Sequence, residues 1–302
     1  MIYILLFFVF IYGVCVGKYK IFPYEFIASV IAKIKQRFKK EEEPLIMWGY
    51  HDLSDKEESD FQSLDMKKTM VILVYGQGNA ANGGEVKYNP RHNVLNAYKG
   101  KCYKANDPLL GATDNKGTVW SRLGDKIIES GVYDNVIIKT IAVGGAPIIC
   151  WTVSGIGIGY KGRIFGNYHS KILEAYEEMN SMGLPITHIL WHQGESDTVN
   201  KTTKEDYKER FLDMWSNMRK QGIDAPIYIA QASRYGKLTN KNVVKAQMEL
   251  SMENVGVFAG PNTDIIDSFD DRTDDGQRFS EQGLEKHAKG WLEYLQSTGF
   301  NK

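Results

Sequence analysis

From Lys68 onward, the chain alternates short apolar runs with stretches whose apolar residues recur at helical spacing. The apolar runs predict strands at 70–75, 136–143, 186–191, 227–230 and 255–259. The helical spacing predicts helices at 119–129, 168–182, 204–219, 243–252 and 281–296. Strands that alternate with helices form βαβ units, so we predict a three-layer α/β/α sandwich around a mostly parallel sheet.

The first 17 residues have a different pattern, because residues 1–17 carry no charged side chain. This length approaches the ~20 apolar residues of a membrane-spanning helix. The basic residues, beginning with Lys18 and Lys20, follow the apolar run instead of preceding it, which favours a membrane anchor over a cleaved signal peptide. By the positive-inside rule they also favour a cytoplasmic location for the main domain.

The region that follows the anchor is both basic and amphipathic. Apolar residues in 18–43 recur at helical spacing, and lysines and an arginine take other positions. This pattern predicts a helix that either lies on an anionic membrane surface or packs on the domain, and the sequence leaves both interpretations open. We predict a linker at 44–67 and a single domain at 68–302.

Composition narrows the class of protein. The 302-residue chain has 37 basic and 37 acidic residues, so no overall positive field would attract nucleic acid, and we expect no nucleic-acid partner. The three cysteines are odd in number, and Cys15 lies inside the apolar run, so no disulfide framework is implied.

Four glycine-containing polar loops mark a candidate site. Three follow predicted strands and read GQGNAANGG, GGAPIICW and HQGESD, and the fourth, DDGQRFSEQG, leads into the last predicted helix. Ligands of parallel α/β sheets bind beyond the carboxyl ends of the strands. We therefore predict that these loops converge on one site.

These loops, in this order, resemble the SGNH (GDSL-like) hydrolases, and in particular the sialate O-acetylesterase-like carbohydrate esterases of the bacterial surface-polysaccharide type. WHQGESD and AVGGAPIICW carry most of the likeness, which extends over residues 68–295. The resemblance implies a flavodoxin-like α/β/α fold, an acetylated carbohydrate or glycan as ligand, and no cofactor.

The chain departs from this family at the two reacting positions. The family motif Gly-Gln-Ser-Asn carries the nucleophilic serine where this chain has Gly78, and Arg278 stands in place of the catalytic histidine, although Asp275 is retained. Glycine offers no nucleophile, and an arginine guanidinium stays protonated and accepts no proton. We therefore expect hydrolysis to be largely lost, through what the sequence presents as two independent changes.

The resemblance implies that the binding half of the site is retained. Its oxyanion and substrate-binding residues would be Gly78, Asn79, Gly144, Gly145, His192, Gln193 and Glu195. Ser196 is a weaker candidate for a replacement nucleophile, because a serine before a helical stretch is typical of helix capping. No metal-ligand spacing is present, so we expect no metal.

Two alternatives to an inactive sugar-binding homologue stay open. One is an active esterase that uses an atypical nucleophile or water. The other is a non-catalytic protein that organises polysaccharide enzymes at the membrane.

Overall fold

The computed structural model describes residues 49–159 and 162–301. The predicted anchor at 1–17 and the predicted basic helix at 18–43 lie outside these residues. Among the helices of the described ranges, none combines the length and apolar character needed to cross a membrane.

A seven-stranded sheet forms the centre of the described domain, with the strand order β3-β2-β4-β1-β7-β8-β9. Its strands are parallel except for β3, which pairs antiparallel with β2 at one edge. A separate hairpin is formed by β5 and β6. The strands are β1 Thr69–Gly76, β2 Val94–Tyr98, β3 Lys101–Lys104, β4 Asn135–Thr140, β5 Gly157–Ile158, β6 Ile164–Phe165, β7 His188–His192, β8 Ile227–Gln231 and β9 Val257–Asn262.

Helices cover both faces of this sheet. They are α1 Val119–Glu129, α2 His169–Ser181, α3 Glu195–Val199, α4 Lys204–Lys220, α5 Lys241–Glu253 and α6 Glu281–Ser297. Along β1, Ile72 and Val74 join a core cluster with residues of α1 and α6, and Leu73 and Tyr75 join a second cluster with residues of α2, α4 and α5. The predicted three-layer α/β/α sandwich is therefore confirmed.

Local sequence explains where several helices begin. The side chain of Thr203 accepts a hydrogen bond from the Asp206 amide at the start of α4, and Ser280 accepts one from the Gly283 amide at the start of α6. These contacts satisfy backbone donors that have no partner within the helix. The five long helices and the strands β1, β4, β7, β8 and β9 agree with the predicted ranges to within a few residues.

The elements missed by the sequence pattern are short. β2 and β3 pair through only a few residues and carry polar side chains among apolar ones. The strands of the β5–β6 hairpin have two residues each and α3 has five, too few for a hydrophobic pattern to repeat several times. Their positions depend on contacts made elsewhere in the fold.

The described part of the predicted linker, residues 49–67, packs on the domain. Lys56 Nζ donates to the Pro108 carbonyl oxygen at 3.0 Å, and Phe61, Leu64 and Met66 pack against a core cluster beside β2. Glu58 also forms an isolated β-bridge with Tyr103. This segment is therefore part of the same folded unit as the domain that follows it.

Two glycines allow the strand ends to approach closely. Gly76 has a φ of +136°, and a Cβ there would overlap the carbonyl oxygen of His192. Gly194 has a φ of +144°, and a Cβ there would overlap the carbonyl oxygen of Ala232. These contacts hold the ends of β1, β7 and β8 together, which positions the loops that follow.

We predict that Gly194→Ala destabilises the domain by more than about 3 kcal/mol, because backbone strain adds to a collision with another backbone. Chemical denaturation, monitored by circular dichroism, measures the change. Gly183→Ala is the matched control, since Gly183 also has a positive φ of +73° but no atom lies within 4 Å of its added Cβ. Equal losses in the two variants would contradict the role of the close contact.

Candidate active site

The guanidinium of Arg278 lies at the centre of the strand-end loops. A Cβ on Gly78 would overlap Nη1 and Cζ of Arg278. The same guanidinium lies 2.9 Å from a Cβ placed on Gly83 and 3.7 Å from one placed on Gly144. The structure thus brings the loop after β1, the loop after β4 and the turn before α6 to one point.

Gly78 and Arg278 are sterically linked. The arginine occupies the volume into which any side chain at position 78 would begin to project. The sequence presented the two departures from the family motif as independent, but the structure couples them: with Arg278 in this position, a side chain at position 78 would require the guanidinium to move.

One carboxylate pairs with this arginine. Arg278 Nη2 donates to Asp114 Oδ2 at 3.3 Å, and the two side chains are 27% and 40% exposed. Asp114 has a φ of +68°, a conformation that aspartate tolerates better than most residues. Within the described ranges, Arg278 Nε and Nη1 donate to no acceptor.

Asp275 closes the turn that carries Arg278. Its Oδ1 accepts hydrogen bonds from Thr273 Oγ1 at 2.7 Å, from the Gln277 amide at 2.8 Å and from the Arg278 amide at 3.2 Å. Burial acts to raise the pKa of this carboxyl, but these hydrogen bonds outweigh it and the pKa is lowered. Asp275 is thus an ionised carboxylate that orders the turn.

The three backbone amides of the predicted oxyanion region differ in availability. The Gly144 amide donates to Thr113 Oγ1 at 2.7 Å and is therefore engaged. In the part of the chain that the structure describes, the amides of Gly78 and Gly145 donate to no protein acceptor. Gly78 is buried and Gly145 is half-buried.

Gln193 lies beneath this region and is fully buried. Its Nε2 donates to Gln77 Oε1 at 3.0 Å and also contacts Asp197 Oδ2, and its Oε1 accepts from the Tyr207 hydroxyl at 3.0 Å. The carboxamide is thus engaged by the scaffold, whereas the sequence analysis predicted that it would face a ligand.

Ser196 is also part of the scaffold. Its hydroxyl donates to the Gly145 carbonyl oxygen at 2.8 Å, and the residue is 2% exposed. It holds the loop after β4 against α3, a position in which it has no approach to a ligand.

Asn79 connects three of the four loops. Its Nδ2 donates to Glu195 Oε1 at 2.9 Å and to the Gln277 carbonyl oxygen at 3.0 Å. His192 lies behind this contact, with Nδ1 3.8 Å from Glu195 Oε1 and Nε2 3.1 Å from Thr263 Oγ1. Asn79 Oδ1, His192 Nδ1 and Glu195 Oε2 are buried and have no hydrogen-bond partner in the described residues.

Burial controls the protonation of this cluster. Burial raises the pKa of Glu195 to about 7 and lowers the pKa of His192 to about 3, the latter with help from the nearby Arg272 and Arg278 charges. The imidazole of His192 is therefore uncharged at neutral pH. The carboxyl of Glu195 titrates near neutral pH.

His287 belongs to the core. Its Nε2 accepts a hydrogen bond from Trp291 Nε1 at 3.0 Å, and burial lowers its pKa well below the usual value. Its ring centroid lies 5.0 Å from that of His192. It is therefore no substitute for the missing base.

Sequence reasoning missed Asp114, Thr113 and Arg272. Arg272 Nε, Nη1 and Nη2 donate to the carbonyl oxygens of Ile266, Gln277 and Thr263, and its Cζ lies 3.8 Å from the centroid of the Phe279 ring. Burial lowers its pKa to about 10. For Arg272, the only available signal in the sequence was the charged stretch DDR that ends in it. Asp114 gave no signal, because it lies in a loop far from any predicted strand end.

No group of three His, Cys, Asp or Glu side chains placed to hold a metal ion is found in residues 49–159 and 162–301.

Comparisons with known proteins agree with this architecture. A sequence profile described as "Carbohydrate esterase, sialic acid-specific acetylesterase" matches residues 68–276. The chain therefore belongs to this family of SGNH-type carbohydrate esterases. No curated protein sequence matches it.

Solved structures share the fold at low sequence identity. A protein from Arabidopsis thaliana superimposes with a TM-score of 0.59 and 16% identity, over 76% of this chain and 98% of that chain. NanS superimposes with a TM-score of 0.52 and 13% identity, over 78% of this chain and 99% of that chain.

We predict that Glu195 makes folding stability depend on pH. Its pKa rises from 4.5 to about 7 on folding, so between these two pH values the folded state keeps a proton that the unfolded state has released. The free energy of unfolding therefore falls as the pH rises from 4.5 to about 7. The full loss is on the order of 3 kcal/mol. Glu195→Gln should be less sensitive to pH between 5 and 8 in denaturation experiments, on the order of that difference.

Glu293→Gln serves as the control, because the side chain of Glu293 is 61% exposed. It should keep the pH dependence of the unchanged protein. Parallel stability profiles for Glu195→Gln and the unchanged protein would contradict a buried, titrating Glu195.

Proposed function

We propose that this chain is a membrane-anchored member of the family. We propose further that it binds acetylated sugars of surface polysaccharide and has lost ester hydrolysis. The observation that supports this most directly is the guanidinium of Arg278 in the volume of the family nucleophile, beside Gly78.

The chemistry of acyl transfer supports the loss of turnover. It requires an oxygen or sulfur nucleophile and a base within hydrogen-bond reach. Gly78 supplies no nucleophile, and the guanidinium of Arg278 accepts no proton. Ser196 and His192, the nearest candidates for replacement, are buried and held by internal contacts.

The amides of Gly78 and Gly145 support retained binding. Two unpaired backbone donors at one strand-end site can hold the carbonyl oxygen of an acetyl group, the part of the ester that an oxyanion region recognises. This interaction needs neither nucleophile nor base. Binding can therefore persist after hydrolysis is lost.

The proposed location rests on the sequence alone. The uncharged residues 1–17 and the basic residues after them favour an anchor with the domain on the cytoplasmic side. An anchored binding protein would hold acetylated glycan near the membrane.

We expect the unchanged chain to hydrolyse aryl acetates or acetylated sugars at a rate about 10⁴-fold or more below that of an active homologue, because both reacting groups are missing. Gly78→Ser alone must displace the guanidinium and still lacks a base, and Arg278→His alone has no nucleophile to activate. The double variant should show measurable acetate release, because Asp275 Oδ2 has no hydrogen-bond partner in the described residues and is therefore open to accept a hydrogen bond from the new imidazole N–H, which would orient the base.

Asp275→Asn added to the double variant is the control, since it removes the carboxylate that would orient the new histidine. It should reduce acetate release again. Robust turnover by the unchanged chain, insensitive to Asp275→Asn, would contradict the proposed loss of hydrolysis.

We further expect the full chain to sediment with membranes, and removal of the first ~40 residues to release the domain into the soluble fraction. Immunoblotting of the two fractions measures this. Recovery of the intact full chain in the soluble fraction would contradict the anchor.

A further inference from the structure

A cleft of about 580 Å³ lies at the N-terminus of α6. It is bounded by the first turns of α6, by the Arg122 side chain of α1 and by Glu85, whose amide donates to the Phe279 carbonyl oxygen at 3.0 Å. None of the residues proposed above to hold an acetyl group lines this cleft. A molecule bound in it is therefore distinct from the ligand of the strand-end site.

Arg122 is a buried cation with unused donors in this cleft. Its side chain is 6% exposed, and its Nε and Nη2 have no hydrogen-bond partner in the described residues. The carboxylate oxygens of Glu281 and Glu285 lie 3.7 Å from Nη2 and 3.9 Å from Nη1, which is beyond hydrogen-bond distance. Since a buried charge is normally hydrogen-bonded, the guanidinium indicates that an acceptor is missing.

The start of α6 supplies two more donors to the same cleft. The Ser280 side chain caps the helix by accepting from the Gly283 amide at 3.1 Å. The amides of Glu281 and Gln282 donate to no acceptor within residues 49–159 and 162–301. Amides at the start of a helix attract anions, and both residues line the cleft together with Arg122. A carboxylate bound there therefore meets a guanidinium and two backbone donors.

The rim of the cleft has the opposite charge. Glu85 and Asp270 are exposed lining residues, and in the part of the chain that the structure describes their carboxylates form no ion pair. The lysine among the lining residues, Lys286, is engaged by Asp271, with Nζ 2.7 Å from Oδ1. The rim therefore repels a simple anion and attracts an ammonium group.

We propose that this cleft binds a small zwitterion that carries a carboxylate and a primary ammonium, the chemistry of an amino acid. The carboxylate accepts hydrogen bonds from Arg122 and from the amides of Glu281 and Gln282, and the ammonium lies against Glu85 and Asp270. The Glu281 side chain, which is 66% exposed, gives way to the ligand carboxylate. A ligand with only one charge would leave either the buried guanidinium or the rim carboxylates without a partner.

Ligand-observed NMR titration of the full chain in mild detergent tests this with glycine, β-alanine and γ-aminobutyrate, whose two charges are progressively farther apart. Each is compared with its N-acetyl derivative, which lacks the ammonium, and with its amide, which lacks the carboxylate. We expect at least one of these zwitterions to bind about tenfold or more tightly than both of its derivatives. Added salt should reduce the difference.

Arg122→Gln should remove the preference for the zwitterion over its amide, because the ligand carboxylate loses its charged donor. Glu85→Gln, at an exposed residue, should reduce the preference over the N-acetyl derivative. Glu293→Gln is the matched control, because Glu293 is a 61% exposed carboxylate of α6 that does not line the cleft. It should leave both preferences unchanged.

Failure of all three zwitterions to bind, or equal binding of each zwitterion and its derivatives, would overturn the proposal. A preference over the amide that persists in a folded Arg122→Gln protein would overturn the assignment of the carboxylate to Arg122. If that variant does not fold, Glu85→Gln decides instead, and an unchanged preference over the N-acetyl derivative would overturn the proposal. None of these results bears on the strand-end site, because Arg278 is not a lining residue of this cleft.

Discussion

A buried network of two carboxamides and one carboxylate holds the loops of the site. Gln193 Nε2 contacts Gln77 Oε1 and Asp197 Oδ2, and Asp197 Oδ2 also accepts from the Ile148 amide at 2.9 Å. These contacts join the loops after β1, β4 and β7. Because the atoms are buried, removal of one partner would leave others unpaired at about 1–3 kcal/mol each. The loops are therefore held together by buried side chains other than those at positions 78 and 278.

The second constraint is the volume beside Gly78. The network brings the loops close enough that this volume holds either a side chain at position 78 or the guanidinium of Arg278, but not both. The arginine also places a positive charge at the position where the resemblance implies a histidine. One steric choice thus sets the charge at the centre of the site.

The sequence predicted the layers of the fold well because the signals were long. The periodicity of α1 and α6 and the continuous apolar run of β1 each extend over many residues. The sequence alone therefore shows which of their residues are buried. The strand-end loops were found because parallel strands bring their carboxyl ends to one edge. The β2–β3 edge and the packed segment before β1 were missed, since their structure depends on partners distant in sequence.

Within the site, sequence reasoning located the loops that carry the site residues, but it did not predict which contacts their side chains make. It assigned Gln193 to the ligand because the residue lies in a strand-end loop, but no one-dimensional pattern shows that its carboxamide turns inward. Asp114 was missed because its role depends on Arg278, which lies 164 positions away in the chain.

The steric link between Gly78 and Arg278 has a consequence for descent. A serine placed at position 78 would meet the guanidinium, so the flexible end of Arg278 would have to move to admit the new side chain. Replacing the arginine first would remove the guanidinium but would leave position 78 without a hydroxyl. On either route the intermediate would carry only one of the two residues of the family motif, so a return to that motif takes two coordinated substitutions.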